Sequence, residues 1–246
     1  ATASAAGLDG GTIDPTGASI NTETGFSIIT YTGNGSAGAT VAHGLGKKPE
    51  WIIIKRRDSG DNWMVYHHEI HASSPEDYYF ELNATGQRVD STIMLNDTAP
   101  TSTLITLGSD NSVNGNTATY IMYSWTEIPG YSKFGVFTGN GNDNGTYVHT
   151  GFRPAWILIK NRDANGFDWV LQDNKRSPFN LCDNKLNPNQ NSSEQTNYDK
   201  LDILADGFKL RQNAAGSNAN GSPYVYMAFA EQPGGINPYT ITSNAR

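Results

Sequence analysis

The side chains that could do chemistry in this chain gather in few places. The densest is His67-His68-Glu69-Ile70-His71. A helical zinc site spaces its ligands as His-Glu-x-x-His, so that two imidazoles and a glutamate base share one face. His68-Glu69-Ile70-His71 is one residue short of that spacing. On a strand, His67 and His71 would share a face about 13 Å apart, too far to chelate one ion without a bend. The run therefore reads as a polar strand end. His43 and His149 stand at matching positions of an internal repeat, described below. A repeated histidine is either a hydrogen-bonded structural group or a ligand-binding one, and both remain candidates.

Calcium would need alternating oxygen ligands closed by a glutamate. Asp58/Asp61, Asn140–Asn144 with Asp143, and Ser109–Asn116 with Asp110 lack that pattern. Asp and Asn at such places are explained by turn formation. No Gly-x-Ser-x-Gly elbow occurs, and Cys182 lies in the Asn/Pro-rich stretch Ser177–Asn191 with no histidine near it in sequence. Gly33-Asn34-Gly35 and Gly139-Asn140-Gly141 are too short for a phosphate loop and lack its Lys-Ser/Thr. Paired carboxylates for glycoside hydrolysis depend on a three-dimensional separation. The repeated Glu127 and Glu231 are read instead as structural partners of Arg57/Arg162 or Lys55/Lys160. No catalytic residue, metal ligand or cofactor is expected, and the chain reads as a non-enzyme.

Aromatic side chains beside Asn and Asp are what a sugar-binding surface needs, since a ring face meets C–H groups while polar groups meet hydroxyls. The repeated pairs Trp51/Trp156 and Trp63/Trp169 fall on expected strands and are assigned to the core. Tyr78, Tyr79 and Tyr147 are the expected exposed contacts. With His43 and His149 they make up the candidate ligand-binding set.

An internal repeat organises these residues. Tyr31-Thr32-Gly33-Asn34-Gly35 recurs as Phe137-Thr138-Gly139-Asn140-Gly141, and Thr40-Val41-Ala42-His43 as Thr146-Tyr147-Val148-His149. Pro49–Asp58 matches Pro154–Asp163, Trp63 matches Trp169, and Tyr120–Gly130 matches Tyr224–Gly234. Pro-Gly pairs punctuate the ends of both copies. The boundaries expected are an extended arm or linker over 1–24, a first β-sandwich repeat over 25–130, and a second over 131–246 with a C-terminal tail.

Each copy reads as short strands separated by turn signals. Phe26–Tyr31, Trp51–Arg57, Asn62–His67, Leu104–Leu107 and Thr117–Glu127 are strands of the first. Trp156–Arg162, Phe167–Gln172, Phe208–Arg211 and Tyr224–Glu231 are those of the second. Glu194–Leu204 could form a short helix. The fold class is all-β: two tandem homologous sandwich-like units with short turns, plus an extended N-terminal arm. The copies either form separate sandwiches or interlock in one.

Composition agrees. Hydrophobic residues make up 37% and charged residues 17%, and 26 Gly with 25 Asn favour turns over helices. Twelve Tyr, nine Phe and five Trp supply material for a core. A net charge of −7, with no basic cluster larger than Lys55-Arg56-Arg57, argues against nucleic acid and anionic membranes as partners. The longest aliphatic runs are triplets such as Ile52-Ile53-Ile54, so no membrane insertion is expected. One cysteine leaves no intrachain disulfide. Ala1–Gly11 lacks the pattern of a signal peptide, and the missing initiator Met suggests a processed chain or a piece of a longer one.

Taken together, Gly25–Gly35, His43-Gly44-Leu45-Gly46…Pro49 and Ile53–Asp58 resemble the repeats of tail-fibre-like virion proteins of marine and other environmental bacteriophages. So do Asn96–Ser102, Gly130–Gly135, Gly151–Trp156, Asp206–Leu210 and Ala228–Glu231, while Ser243-Asn244-Ala245-Arg246 resembles a natural C-terminus of that family. The resemblance spans about Gly25 to Arg246 and rests on turn and strand patterns. It implies a structural or adhesive virion component on the particle surface, with other virion proteins as partners. It also implies a homo-oligomer, preferably a trimer by analogy with fibres, and contact with host-surface glycan. It transfers no catalytic residue. Asp183–Thr196 and His67–His71 look less typical and are where specificity is expected to vary. A secreted carbohydrate-binding module and a glycan depolymerase are the alternatives.

Overall fold

The computed structural model describes residues 7–231. Pro233-Gly234 and Ser243–Arg246 lie outside the described residues. The first half contains β1 (Gly17–Asn21), β2 (Phe26–Thr32), β3 (Ala39–Ala42), β4 (Trp51–Arg56), β5 (Met64–His67), β6 (Tyr78–Glu81), β7 (Val89–Asp90), β8 (Leu104–Leu107), the single turn α1 (Asn111–Asn114) and β9 (Thr119–Trp125). The second half contains β10 (Ser132–Thr138), β11 (Tyr147–His149), β12 (Trp156–Asn161), β13 (Val170–Asp173), β14 (Cys182–Lys185), β15 (Gln195–Leu204), β16 (Gly207–Leu210) and β17 (Pro223–Phe229). The protein is all-β, as expected.

Seven strands lie side by side in the order β1-β2-β9-β4-β5-β6-β7, and β3 pairs with β8 in a small second sheet. The second half builds two four-stranded sheets, β10-β17-β12-β13 and β11-β16-β15-β14. The sequence match relates β2-β9-β4-β5 to β10-β17-β12-β13, and the two runs have the same order. They diverge after β5 and β13: β6 and β7 extend the large sheet, whereas β14 and β15 join the outer one.

Alternation along the strands sorts side chains into three cores. Ile52, Ile54, Tyr120 and Met122 face Val41, Ile105 and Leu107 of the small sheet. Ile157, Ile159, Tyr224 and Tyr226 face Leu201, Ile203, Phe208 and Leu210 of the outer sheet. The third core lies between the halves, where Trp51, Ile53, Val65 and Phe80 meet Phe134, Leu158, Trp169, Val225 and Met227. The result is four stacked layers. Strand β4 is therefore covered on both faces, which is why Trp51-Ile52-Ile53-Ile54 is an unbroken apolar run.

Two expectations are corrected. The segment expected as an arm over 1–24 is, across its described residues, part of the first half. Leu8 and Ile13 are buried in the first core, Ile13 bridges Val41, and β1 pairs with β2. Gly, Ser and Thr hid this segment, because an edge strand needs few apolar residues. Glu194–Leu204 is not a helix: Gln195–Leu204 is strand β15, and only alternate residues such as Leu201 and Ile203 point into the core.

The repeated Gly-Asn-Gly turns have a structural cause. A Cβ on Gly33 would lie 2.4 Å from the Gly115 oxygen, and one on Gly139 would lie 2.3 Å from the Ala219 oxygen. Each turn is pinned by a buried asparagine from the segment before the last strand of its copy, Asn114 at the end of α1 and Asn218 in the turn before β17. Asn114 accepts from the Asn34 amide at 2.9 Å and donates to the oxygens of Ser36 and Gly108. Asn218 accepts from the Asn140 amide at 3.1 Å and donates to those of Asn142 and Gln212.

Candidate functional site

Tyr78 and Tyr79 point to opposite faces of β6. Tyr79 is buried in the first core and leaves the candidate set. Tyr78 is half-buried and its ring is already engaged by two side chains. His71 stacks on it at 4.6 Å, and the Arg88 guanidinium lies 4.8 Å from its centroid. A hydrogen bond to Asp90 raises its pKa. Arg88 also donates to the Ile70 oxygen at 2.7 Å and pairs with Asp163 at 2.8 Å. The cavity here, about 550 Å³ and bordered by Tyr78, Arg88, Asp90, Asp163 and Asn165, is a polar seam between the halves.

His43 and His149 match in sequence but not in surroundings. His43 is fully buried. Its Nδ1 accepts from the Leu45 amide at 3.3 Å, which leaves the proton on Nε2, 3.3 Å from the Thr101 oxygen. Burial pushes its pKa down to about 4, so it is a neutral structural group. His149 projects outward from β11 beside Tyr147, with Val148 between them buried. The Tyr147 hydroxyl donates to Asp206 Oδ1 at 2.8 Å, and His149 Nδ1 lies 3.7 Å from Asp206 Oδ2. The hydrogen bond to Asp206 raises the Tyr147 pKa. Of the five candidates, the structure brings together only Tyr147 and His149, around a carboxylate that sequence reasoning had not singled out.

Their neighbourhood is the solvent face of the outer sheet. The exposed large apolar side chains among the described residues are Val89, Tyr147, Phe179, Leu181 and Tyr198. Four of these five belong to the outer sheet or the loop entering it. Tyr198 sits between Asn197 and Asp199, both with positive φ, so the strand bulges and turns its ring outward. Asp199 holds the bulge from inside, with Lys185 Nζ at 2.5 Å and the Ser217 hydroxyl at 2.7 Å. Phe179 and Tyr198 were missed because their Asn-rich surroundings carry no periodic signal.

The remaining motifs are absorbed by structure. His67 accepts from the Glu69 amide, His68 reaches the Phe134 oxygen at 2.8 Å, and His71 accepts from the Ser74 amide. Asp58 and Asp61 both pair with Arg56. Asp110 caps α1, and Asp143 accepts from the Asn213 amide. Among the described residues no group of three or more His, Cys, Asp or Glu is placed to hold a metal ion, and no helix is long and apolar enough to cross a membrane. Cys182 is free and buried. The expected partners of Glu127 and Glu231 are corrected. Glu127 accepts from the Phe134 amide and pairs with Lys133, and Glu231 pairs with Lys175. Lys55 and Lys160 instead close their own hairpins through backbone oxygens.

A family model described as a domain of unknown function, DUF7483, matches residues 1–233. The chain belongs to that family. The match covers both sequence copies of this DUF7483 member, the seam between them and the Tyr147 face. No curated protein and no solved structure matches the chain.

Proposed function

We propose that the chain is a non-enzymatic structural and adhesive component of a bacteriophage particle, a tail-fibre or other surface fibre or decoration domain. In this reading it sits on the virion exterior among other virion proteins, as a homo-oligomer and preferably a trimer, and touches host-surface glycan. The observation that carries the adhesive part is the pairing of Tyr147 and His149 around Asp206 on the solvent face of the outer sheet. An exposed ring beside a fixed carboxylate and an imidazole can stack on a sugar and hydrogen-bond its hydroxyls. Tyr198 and Phe179 add apolar surface on the same layer. Contacts of this kind are weak singly and gain strength from copy number on a particle. The particle assignment rests on the resemblance of the strand and turn motifs.

Two measurements test it. The chain should copurify with structural proteins of intact phage, and its absence from purified particles would remove the virion assignment. On a glycan array, oligomeric chain should bind and Tyr147→Ala should weaken that binding about tenfold, or about 1.4 kcal/mol. Undiminished binding by the variant would remove Tyr147 from the adhesive face.

A further inference from the structure

Trp51 and Trp156 hold the same place in the two copies. Trp51 pairs with His67 on β5 and Trp125 on β9, and Trp156 pairs with Asp173 on β13 and Phe229 on β17. The turns that follow also correspond. The His68 amide donates to the Glu50 oxygen and the Asn174 amide to the Ala155 oxygen, each at 2.9 Å. Asp173 thus stands for His67, Arg176 for Ile70 and Ala155 for Glu50.

The two environments nevertheless differ. Trp51 is sealed: the His67 ring meets it edge-on at 5.1 Å, Phe134 lies at 6.1 Å, and Ile70 is fully buried in the same core. The Glu50 carboxylate is held there by the Glu127 amide at 2.9 Å. In the second copy an imidazole becomes a carboxylate, a buried isoleucine becomes a half-exposed arginine, and a glutamate becomes an alanine. Trp156 is left half-buried at the wall of an open, shallow cleft of about 630 Å³. Asp173, Lys175, Arg176, Glu194 and Glu231 form its polar rim. Glu194 comes from the stretch where the sequence copies diverge most.

The rim charges already pair with one another. Lys175 is bound to Glu231, and Arg176 lies 3.0 Å from Asp173 and 3.3 Å from Glu194. A charged ligand would have to break one of these pairs, whereas hydroxyl groups can donate to the carboxylates and accept from the cations while the pairs persist. An indole face beside such a rim is complementary to a ring with one C–H face and several hydroxyls. We infer that this cleft binds a neutral pyranose sugar, with Trp156 against the ring face and Asp173, Arg176 and Glu194 on the hydroxyls. The site is separate from the Tyr147 face, and the inference does not rest on the particle assignment.

The test is saturation-transfer NMR on the full chain with glucose, galactose, mannose, fucose and N-acetylglucosamine. At least one should receive saturation, and Trp156→Ala should weaken its binding about tenfold or more. Ala155→Glu, which restores the carboxylate of the first copy without touching the third core, should do the same and keeps the test decisive if Trp156→Ala does not fold. Tyr147→Ala should leave this binding intact. No transfer to any of the five sugars would overturn the inference. So would binding that survives Ala155→Glu, or binding lost with Tyr147→Ala alone.

Discussion

The ammonium of Lys160 lies 3.2 Å from the carbonyl oxygen of Thr85, so a fully buried charge ties the second half to the first. The same ammonium donates to the Phe167 oxygen in its own hairpin. Burial pulls its pKa from 10.5 down to about 8, against the opposing pull of Asp168. Between those values the unfolded chain holds a proton that the folded chain has lost. The contribution of this group to stability therefore rises from about pH 8 to about pH 10. Lys160→Met should flatten that rise. At pH 10, where the folded amine is neutral, it should cost about 2 kcal/mol, because two carbonyls lose their donor, and at pH 7 the cost should be smaller, because the penalised buried charge is removed with it. Urea unfolding at several pH values checks both, and an unchanged slope in the variant would exclude Lys160 as the source.

Acid should destabilise the fold through neutral buried histidines. His43 has its pKa lowered to about 4, and that of His67 is lowered well below 6.5, burial being the main cause in each. As pH falls below 6.5 the unfolded chain takes up protons that the folded chain refuses. Stability then drops by up to about 1.4 kcal/mol per pH unit for each histidine. Melting curves between pH 7 and pH 5 should show the loss, and His43→Asn should remove one share of the slope.

The equivalent tryptophans should respond differently to truncation. Trp51 is sealed in the third core, so Trp51→Ala should cost about 3–5 kcal/mol. Trp156 is half-buried, and its loss should cost about 1–2 kcal/mol. Chemical denaturation of the two variants side by side tests this, and equal costs would mean that Trp156 is as enclosed as Trp51.

The pinned turns predict a matched pair of effects. Asn114→Ala and Asn218→Ala each strip a buried amide of its bonds to backbone groups and should each cost about 2 kcal/mol or more. Gly33→Ala should be as damaging, because its methyl group would overlap the Gly115 oxygen. Thermal melts would expose a mistake if the asparagine variants proved neutral.

Much of the fold was legible because its signals are local. Phe26–Tyr31, Trp51–Arg57 and Tyr224–Glu231 read as strands from β-branched and aromatic content, and Asp58-Ser59-Gly60-Asp61 marked the hairpin between β4 and β5. Strand β1 was not legible, since Gly17-Ala18-Ser19-Ile20-Asn21 offers a single large apolar residue to the core. Strand β15 misled, because Asp199, Lys200, Asp202 and the leucines beside them also suit a helix. Burial is a tertiary property, so nothing in the sequence distinguished His43 from His149 or Tyr79 from Tyr78. Asp206 could not be found beside Tyr147 from spacing, because 59 positions separate them. The repeat itself carried one further signal: beside the shared Trp51 and Trp156 the copies differ, as with His67 and Asp173, and that difference marks the surface that changed.

The strand arrangement also sets how the molecule would carry load. β17 is hydrogen-bonded along both flanks, to β10 through seven residue pairs and to β12 through six. Among the described residues β1 is held along one flank only, through five pairs with β2. Tension entering near Phe229 is thus shared by two neighbours in the middle of a sheet, whereas tension entering near Gly17 falls on a single outer ladder that can open one bond at a time. Of these two strands, β1 is the one whose ladder opens under the smaller load.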